Sequence, residues 1–159
     1  MRNYTFKIFF IALLGLTLSG CLSFGQLKYS QVKMLKKEGF ILTNEGWSLG
    51  LPERLLFDFD HVQIKSNYQQ ELSHLATQLN KYNLHKLKII GHTDNTGDPN
   101  YNQKLSKERA QSVATFFIYH GFKRDDLVVL GRGATQPFLP NTSIKNRANN
   151  RRVSIIIIP

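Results

Sequence analysis

The stretch 91-GHTDNTGDPNYNQKLSKERA-110 joins a strand to a long helix and contains an acid and an arginine in unusual places. Asp94 lies in a glycine-bounded loop that directly follows an apolar run. Asp98 and Pro99 then form a favourable helix start, because the carboxylate accepts hydrogen bonds from free amides and the proline ring fixes φ for the first turn. The sequence therefore predicts a helix over residues 99–120 that begins shortly after the acid.

Arg109 falls on the apolar side of this predicted helix. At 100° per residue it projects about 40° from Leu105, between Phe116 and Val113, at the margin of the core. Periodicity alone leaves two interpretations open: the guanidinium extends past the core into water or against a local acid on the next turn of the helix, or it faces a ligand. The loop favours a ligand, because Asp94 follows the carboxyl end of a strand, where α/β sheets place their binding crevices. Such an acid and arginine suit a ligand with an ammonium and a carboxylate on one carbon.

The rest of the chain predicts strands that alternate with helices. Apolar runs predict strands at residues 54–59, 86–93, 127–133 and 151–158. A helix is predicted over 66–82, with Ser66 and Gln69 as a capping box and an apolar face formed by Leu72, Leu75, Ala76 and Leu79. The pattern indicates an α/β fold, an α+β sandwich in which a mixed sheet is covered by helices on one face.

A shorter unit precedes this domain at residues 30–52. Ser30 is the expected N-cap of a helix that ends at Gly39, and strands are predicted at 40–43 and 47–51 around an Asn-Glu-Gly turn. We expect this helix and strand pair to form an N-terminal extension docked on a main domain at 53–159.

The first residues have the composition of a secretory signal. Arg2 and Lys7 precede the apolar run 8-IFFIALLGLTL-18, and the small residues 19-SGC-21 follow it. The run is short for a membrane span, which needs about 20 apolar residues. Residues 1–20 are thus predicted to be a signal peptide, and Cys21, the single cysteine, excludes an intrachain disulfide.

The net charge of +10 also fits a nucleic-acid-binding protein. The basic residues are scattered, however, apart from 145-KNRANNRR-152, and an exported protein meets no genome. We therefore expect anionic wall polymers or lipid headgroups as the charged partners, and no nucleic acid.

An enzyme is not expected either, although His92 beside Asp94 is open to interpretation as a hydrolase or metal site. The five histidines lack metal-ligand spacing, and no Gly-x-Ser-x-Gly elbow or phosphate loop occurs. No catalytic residue, metal or cofactor is predicted, and a cell-wall hydrolase remains the less favoured alternative.

Four ordered motifs carry a family resemblance: 92-HTDNTG-97, 101-YNQKLSKERAQSV-113, 131-GRGATQP-137 and 147-RANNRRV-153. Together they resemble the OmpA-like C-terminal domain, a peptidoglycan-binding module, over about residues 53–158. The resemblance implies a βαβαββ mixed sheet and a site for the diaminopimelate of the wall's stem peptide. It implies that Asp94 binds the ammonium and Arg109 the carboxylate, and that the other ligand-binding residues are Thr93, Asn95, Thr96, Asn102, Leu105, Asn150 and Arg151.

The segment 18-LSGC-21 resembles the lipobox of bacterial lipoproteins. This resemblance implies that Cys21 carries the lipid (palmitate among its acyl chains), that residues 21–29 form a lipidated linker, and that the protein is anchored to the periplasmic face of the outer membrane. Leu22, which is not aspartate, implies outer-membrane delivery.

The extension 37-KEGFILTNEGWSLGL-51 further resembles a group of outer-membrane lipoproteins that regulate cyclic-di-GMP signalling. That group implies capture of a periplasmic repressor of a diguanylate cyclase, with Phe40 and Trp47 as candidate exposed contacts. The alternative for Trp47 is that it only packs the extension onto the domain. A purely structural wall anchor, like the peptidoglycan-associated lipoprotein, is the alternative. A second copy of the chain, forming a homodimer, is a further expected partner.

Overall fold

A computed structural model describes residues 27–58 and 60–158. The predicted signal peptide, Cys21 and the linker up to residue 26 lie outside the described residues. The helices are α1 (Tyr29–Lys37), α2 (Glu53–Leu56), α3 (Gln69–Lys81), α4 (Pro99–Tyr119) and α5 (Ile144–Asn150). The strands are β1 (Ile41–Thr43), β2 (Gly46–Pro52), β3 (Leu87–His92), β4 (Leu127–Gly131) and β5 (Arg152–Ile157). Two 3-10 turns, Ser66–Tyr68 and Arg124–Asp126, precede α3 and β4.

The five strands form one mixed sheet in the order β1-β2-β5-β3-β4. Strands β3 and β4 are parallel and are connected through α4, whereas the other neighbouring pairs are antiparallel. The last strand in the chain, β5, therefore lies between β2 and β3. The predicted mixed sheet, the strands at 86–93, 127–133 and 151–158, and the helix at 99–120 are confirmed.

The core lies between one face of this sheet and the helices. Alternate residues of the central strands point to the helices, and the helices contribute one apolar stripe each. The fully buried members include Leu87, Ile89, Ile155 and Ile157 from the sheet and Leu35, Leu72, Leu79, Val113 and Phe117 from the helices. The predicted apolar face of the helix at 66–82 is buried, as expected.

Helix α4 approaches the sheet unusually closely at two glycines. A Cβ on Gly91 of β3 would lie 1.8 Å from the carbonyl oxygen of Ser106 in α4. A Cβ on Gly131 of β4 would lie 2.6 Å from the backbone nitrogen of Lys107. Glycine is thus required at both positions for this packing, which brings Arg109, on the next turn of α4, close to the loop that leaves β3.

The strand predicted at residues 54–59 is wrong. Residues Glu53–Leu56 form the short helix α2. Both edges of β5 are already paired with β2 and β3, so no central edge is left for residues 54–58. Leu56 and Phe57 are both buried and belong to the common core.

Two predicted helix caps also differ from the structure. Ser30 lies inside α1, whose N-cap is Lys28, and the backbone N–H of Lys28 donates to Gln31 Oε1 at 2.8 Å. Ser66 and Gln69 do not form a capping box, because the chain is already helical there in the 3-10 turn. Asp98, by contrast, caps α4 as predicted, accepting a hydrogen bond from the Tyr101 amide.

Helix α5 lies in a segment predicted to be a loop. Its N-cap is Ser143, whose Oγ accepts a hydrogen bond from the Asn146 amide at 3.0 Å. The helix has seven residues and its first, Ile144, is 79% exposed, so no apolar stripe marks it in the sequence.

The N-terminal unit is tied to the rest of the fold by both packing and strand pairing. Met34, Leu35 and Phe40 are buried in the common core, and Gly39, with φ of 86°, ends α1 as predicted. Strands β1 and β2 are those predicted for the unit, and β2 pairs along its length with β5. The expected boundary at residue 52 therefore falls between β2 and α2, within one sheet-and-helix body.

Candidate ligand-binding site

Asp94 is held in a tight turn directly after β3. Its Oδ1 accepts a hydrogen bond from the Thr96 amide at 2.8 Å. Asn102 of α4 donates from Nδ2 to the Thr96 carbonyl at 2.8 Å, and the Thr93 amide donates to the Gly133 carbonyl at 2.9 Å. These bonds fix the direction of the Asp94 carboxylate relative to α4.

Arg109 is 3% exposed, so its guanidinium does not extend into water, and the acid that it pairs with is Glu53, which is distant in sequence and not on the next turn of its own helix. Its Nη2 lies 2.7 Å from Glu53 Oε1, and its Nε donates to the His61 carbonyl at 3.2 Å. Its guanidinium carbon lies 5.2 Å from the centre of the Phe57 ring, a cation–π contact. The side chain is therefore fixed on several sides.

Glu53 and Arg151 connect Arg109 to Asp94 in a row of alternating charges. Arg151 Nη1 donates to Asp94 Oδ2 at 2.6 Å. Arg151 Nε lies 2.8 Å from Glu53 Oε2, an ion-pair contact without hydrogen-bond alignment. Two acids and two arginines thus neutralise one another, which offsets the cost of removing these charges from water.

The protonation state of Asp94 follows from these contacts. Burial by itself raises the pKa of its carboxyl, but hydrogen bonds from Thr96 and Arg151 outweigh burial and lower the pKa below its usual value. Asp94 is therefore a carboxylate at neutral pH and is suited to bind a cation.

A crevice of about 650 Å³ opens beside this row of charges. It is lined by the predicted site residues Thr93, Asp94, Thr96, Asn102, Leu105, Arg109 and Arg151, which the fold brings together from two loops and α4. Its other lining residues are Glu53, Arg54, Phe57, Asp60, Lys65, Gly97, Tyr101, Ile144 and Arg147. The volume is in the range of small-ligand pockets.

Two predicted site residues do not line this crevice. Asn95 is exposed on the turn. Asn150 is fully buried, and its amide donates to the Leu139 carbonyl and to Asn141 Oδ1, both at 2.8 Å, and accepts from the Leu139 amide at 2.9 Å. In this conformation Asn150 holds the loop before α5, and its role in ligand binding stays a prediction.

Sequence reasoning missed Glu53 altogether. It lay at the start of a segment interpreted as a strand, and no periodicity marks it as a partner of Arg109. Tyr101 and Arg147 belong to the family motifs, so the motifs themselves contained the signal for them. The Tyr101 hydroxyl donates to Asp60 across the mouth of the crevice.

The two candidate contacts of the N-terminal unit have little exposed surface. Phe40 is 3% exposed and belongs to the core, so the expectation that it is exposed is wrong. Trp47 is half-buried and packs against the core. The exposed apolar residues here are Ile41, 55% exposed, and Leu42, 69% exposed, both in β1.

The open face of the sheet bears a second groove, of about 640 Å³. Its charged residues are largely engaged: Arg132 pairs with Glu45 at 2.7 Å, and the Arg152 guanidinium lies 5.7 Å from the centre of the Phe138 ring. Burial, followed by the nearby charges of Arg152 and Arg132, lowers the pKa of His92 to about 3. His92 is therefore neutral at physiological pH.

Within residues 27–58 and 60–158, no cluster of three His, Cys, Asp or Glu side chains is placed to hold a metal ion. Within the same ranges, no helix combines the length and apolar character that a bilayer span requires.

Comparison with known proteins places this geometry in context. Residues 56–151 match the model of the OmpA family. The chain is 37% identical over 131 residues to "Outer-membrane lipoprotein YfiB" of Pseudomonas aeruginosa, covering 82% of this chain and 78% of that protein. It is 34% identical over 145 residues to "Putative lipoprotein YfiB" of Escherichia coli K12, covering 90% of this chain and 91% of that protein. The solved peptidoglycan-associated lipoprotein of Burkholderia pseudomallei superposes with a TM-score of 0.58 at 26% identity, covering 65% of this chain and 88% of that one.

Proposed function

The chain belongs to the OmpA family, and from that premise we propose that it is an outer-membrane lipoprotein that binds peptidoglycan without cleaving it. The observation that carries the proposal is that Asp94 and Arg109, which are nearly buried and oppositely charged, line the same crevice. The similarity to two lipoproteins over most of the chain supports lipidation of Cys21 and attachment to the periplasmic face of the outer membrane.

The ligand group that suits this crevice is the free end of diaminopimelate in the stem peptide. Asp94 binds its ammonium, because the turn fixes the carboxylate and the low pKa keeps it charged. Arg109 binds its carboxylate through two parallel charge-assisted hydrogen bonds. The apolar part of the side chain lies against Leu105 and the Tyr101 ring, both of which line the crevice.

Cosedimentation with purified wall sacculi tests this function. The Asp94→Asn and Arg109→Met variants should each bind the wall roughly 10- to 100-fold more weakly, because each leaves one charge of the ligand unpaired in a partly desolvated site. Asp125→Asn and Arg124→Gln are matched controls on the exposed turn before β4 and should bind like the parent.

The same assay distinguishes a binding protein from a cell-wall hydrolase. Soluble muropeptides released from the sacculi would indicate a hydrolase, whereas pelleting without release indicates binding. If Asp94→Asn and Arg109→Met, folded as judged by thermal midpoint, pelleted like the parent, the assignment of the crevice would be wrong.

We further propose that this protein regulates a diguanylate cyclase by capturing its periplasmic repressor, and is not only a structural anchor. Similarity to the two lipoproteins extends through the N-terminal unit, and β1 presents Ile41 and Leu42 to solvent there. These two residues replace the buried Phe40 as the proposed contacts.

Cellular cyclic di-GMP distinguishes a regulator from an anchor. Expression of the parent should raise its level, and Ile41→Asp should abolish the rise while wall pelleting persists. Tyr119→Asp, at an 85% exposed position of α4, is the control. If the Ile41→Asp variant raised cyclic di-GMP as much as the parent, Ile41 would not be a repressor contact. If the parent itself caused no rise, the structural anchor would be favoured.

A further inference from the structure

The Glu53 carboxylate pairs with the guanidinium of Arg109, which is the proposed binding group for the ligand's carboxylate. Glu53 is the first residue of α2, directly after β2, and its backbone N–H donates to the Arg151 carbonyl at 3.1 Å. Its carboxylate reaches Arg109 Nη2 at 2.7 Å on one side and Arg151 Nε at 2.8 Å on the other. An internal carboxylate thus lies where an external one is expected to bind.

The donors of Arg109 show that the two carboxylates compete. A guanidinium offers two edges for two-pronged binding, one formed by Nε and Nη2 and the other by Nη1 and Nη2. In this structure Nε donates to the His61 carbonyl and Nη2 pairs with Glu53. Nη2 carries two N–H groups, so the Nη1–Nη2 edge can still receive a ligand carboxylate, but that carboxylate then shares Nη2 with Glu53 and is repelled by its charge.

Asp94 likewise keeps acceptor sites for the ligand's ammonium. Its two oxygens accept one hydrogen bond each, from Thr96 and Arg151. A carboxylate has about four acceptor sites, so an ammonium can be added while both existing bonds remain.

We propose that Glu53 is an internal competitor that occupies Arg109 and limits the affinity of the crevice for amino-acid carboxylates. The ligand carboxylate then binds Arg109 against the repulsion of the Glu53 carboxylate, so removing or withdrawing that charge strengthens binding. This inference rests on the proposed function, since it assigns a control element to the same site.

The opposite role for Glu53 is a support that positions Arg109, and substitutions separate the two. Glu53→Gln keeps the size but removes the charge, so a competitor predicts tighter binding and a support predicts weaker binding. Glu53→Asp keeps the charge but withdraws it by one methylene from both arginines, which protects the fold if two unpaired arginines destabilise the glutamine variant. Both variants should bind about tenfold more tightly than the parent.

Calorimetric titration of the full chain in detergent micelles, with meso-diaminopimelate as the probe, measures this change. Glu45→Gln is the matched control, because Glu45 also pairs with an arginine, Arg132, but lines the other groove. If Glu53→Gln and Glu53→Asp bind meso-diaminopimelate more tightly than the parent and Glu45→Gln does not, the result supports Glu53 as a competitor. Equal or weaker binding by the folded variants, including no binding by any protein, overturns it.

Sacculus pelleting separates failure of this inference from failure of the proposed function. A parent that pellets with the wall while neither Glu53 variant gains affinity leaves wall binding intact and removes only the competitor. A parent and variants that all stay in the supernatant remove both.

Discussion

Replacement of Gly91 by alanine should dislodge α4 from the sheet. The added Cβ would lie 1.8 Å from the Ser106 carbonyl oxygen and 2.6 Å from its carbonyl carbon. Both are backbone atoms of a helix, so no side-chain rotation relieves the clash. Since real Cβ contacts stay above 3.0 Å, the helix must retreat by about 1.2 Å.

The expected cost follows from what this movement opens. Overpacking that side chains can absorb costs about 1–3 kcal/mol. Here the whole contact between α4 and β3 separates, and a gap of 0.5–1 Å already forfeits about a quarter to a half of the dispersion attraction. Val113 and Phe117, both fully buried, lose partners in this way. We therefore expect a loss of about 3–5 kcal/mol in the free energy of unfolding, or roughly 10–20 °C in thermal midpoint.

Urea unfolding followed by circular dichroism measures this loss, with Gly50→Ala as the control. A Cβ on Gly50 would lie 3.7 Å from Arg152 Cδ, an ordinary contact, so that variant should stay within about 0.5 kcal/mol of the parent. At temperatures below the thermal midpoint of the variant, Gly91→Ala should also weaken binding to the cell wall, because Arg109 moves with α4 away from Asp94. Equal stability of the two alanine variants would refute the packing argument.

Two further predictions concern His92 and Asn150. The folded pKa of His92 is about 3 against a reference of 6.5, so between these values the unfolded chain takes up a proton that the folded chain does not, and stability is lost as the pH falls. Lowering the pH from 7 to 5 should cost the parent about 2 kcal/mol more than His92→Asn in urea unfolding, and equal losses would contradict the buried neutral imidazole. Asn150→Ala leaves the Leu139 amide and carbonyl without their partner, so it should lower the free energy of unfolding by about 1–3 kcal/mol. Wall pelleting of this variant at low temperature should match the parent, whereas weaker pelleting with unchanged stability would assign Asn150 to the ligand instead.

The regular elements were predictable because each carries its own periodic pattern. The apolar stripes of α3 and α4 repeat at helical spacing, and Asp98 and Pro99 mark the start of α4 in the sequence itself. Elements without such a pattern were missed or misassigned. Helix α5 is short and polar, and α2 combines an apolar sequence with four residues of helix.

Most of the candidate site was also predictable, because its residues cluster in two stretches of chain. Asn102, Leu105 and Arg109 are spaced so that helical geometry places them on one side of α4, and Asp94 lies in the loop just before that helix. The family resemblance assigned Asn102 and Leu105 to the site. The family motif supplied Arg151. The buried state of Arg109 did not follow from periodicity, which put it at the margin of the core.

The sequence by itself thus determined which side of each long element faces the core and that an acid and an arginine share one end of the sheet. Only the tertiary structure decided that Glu53 pairs with Arg109 and that residues 54–58 are excluded from the sheet. Periodicity records the burial of one element against an unspecified apolar partner. The choice of partner depends on which strand edges remain unpaired and which charges become neighbours when distant segments pack, and here the pairing of β2 with β5 sets both.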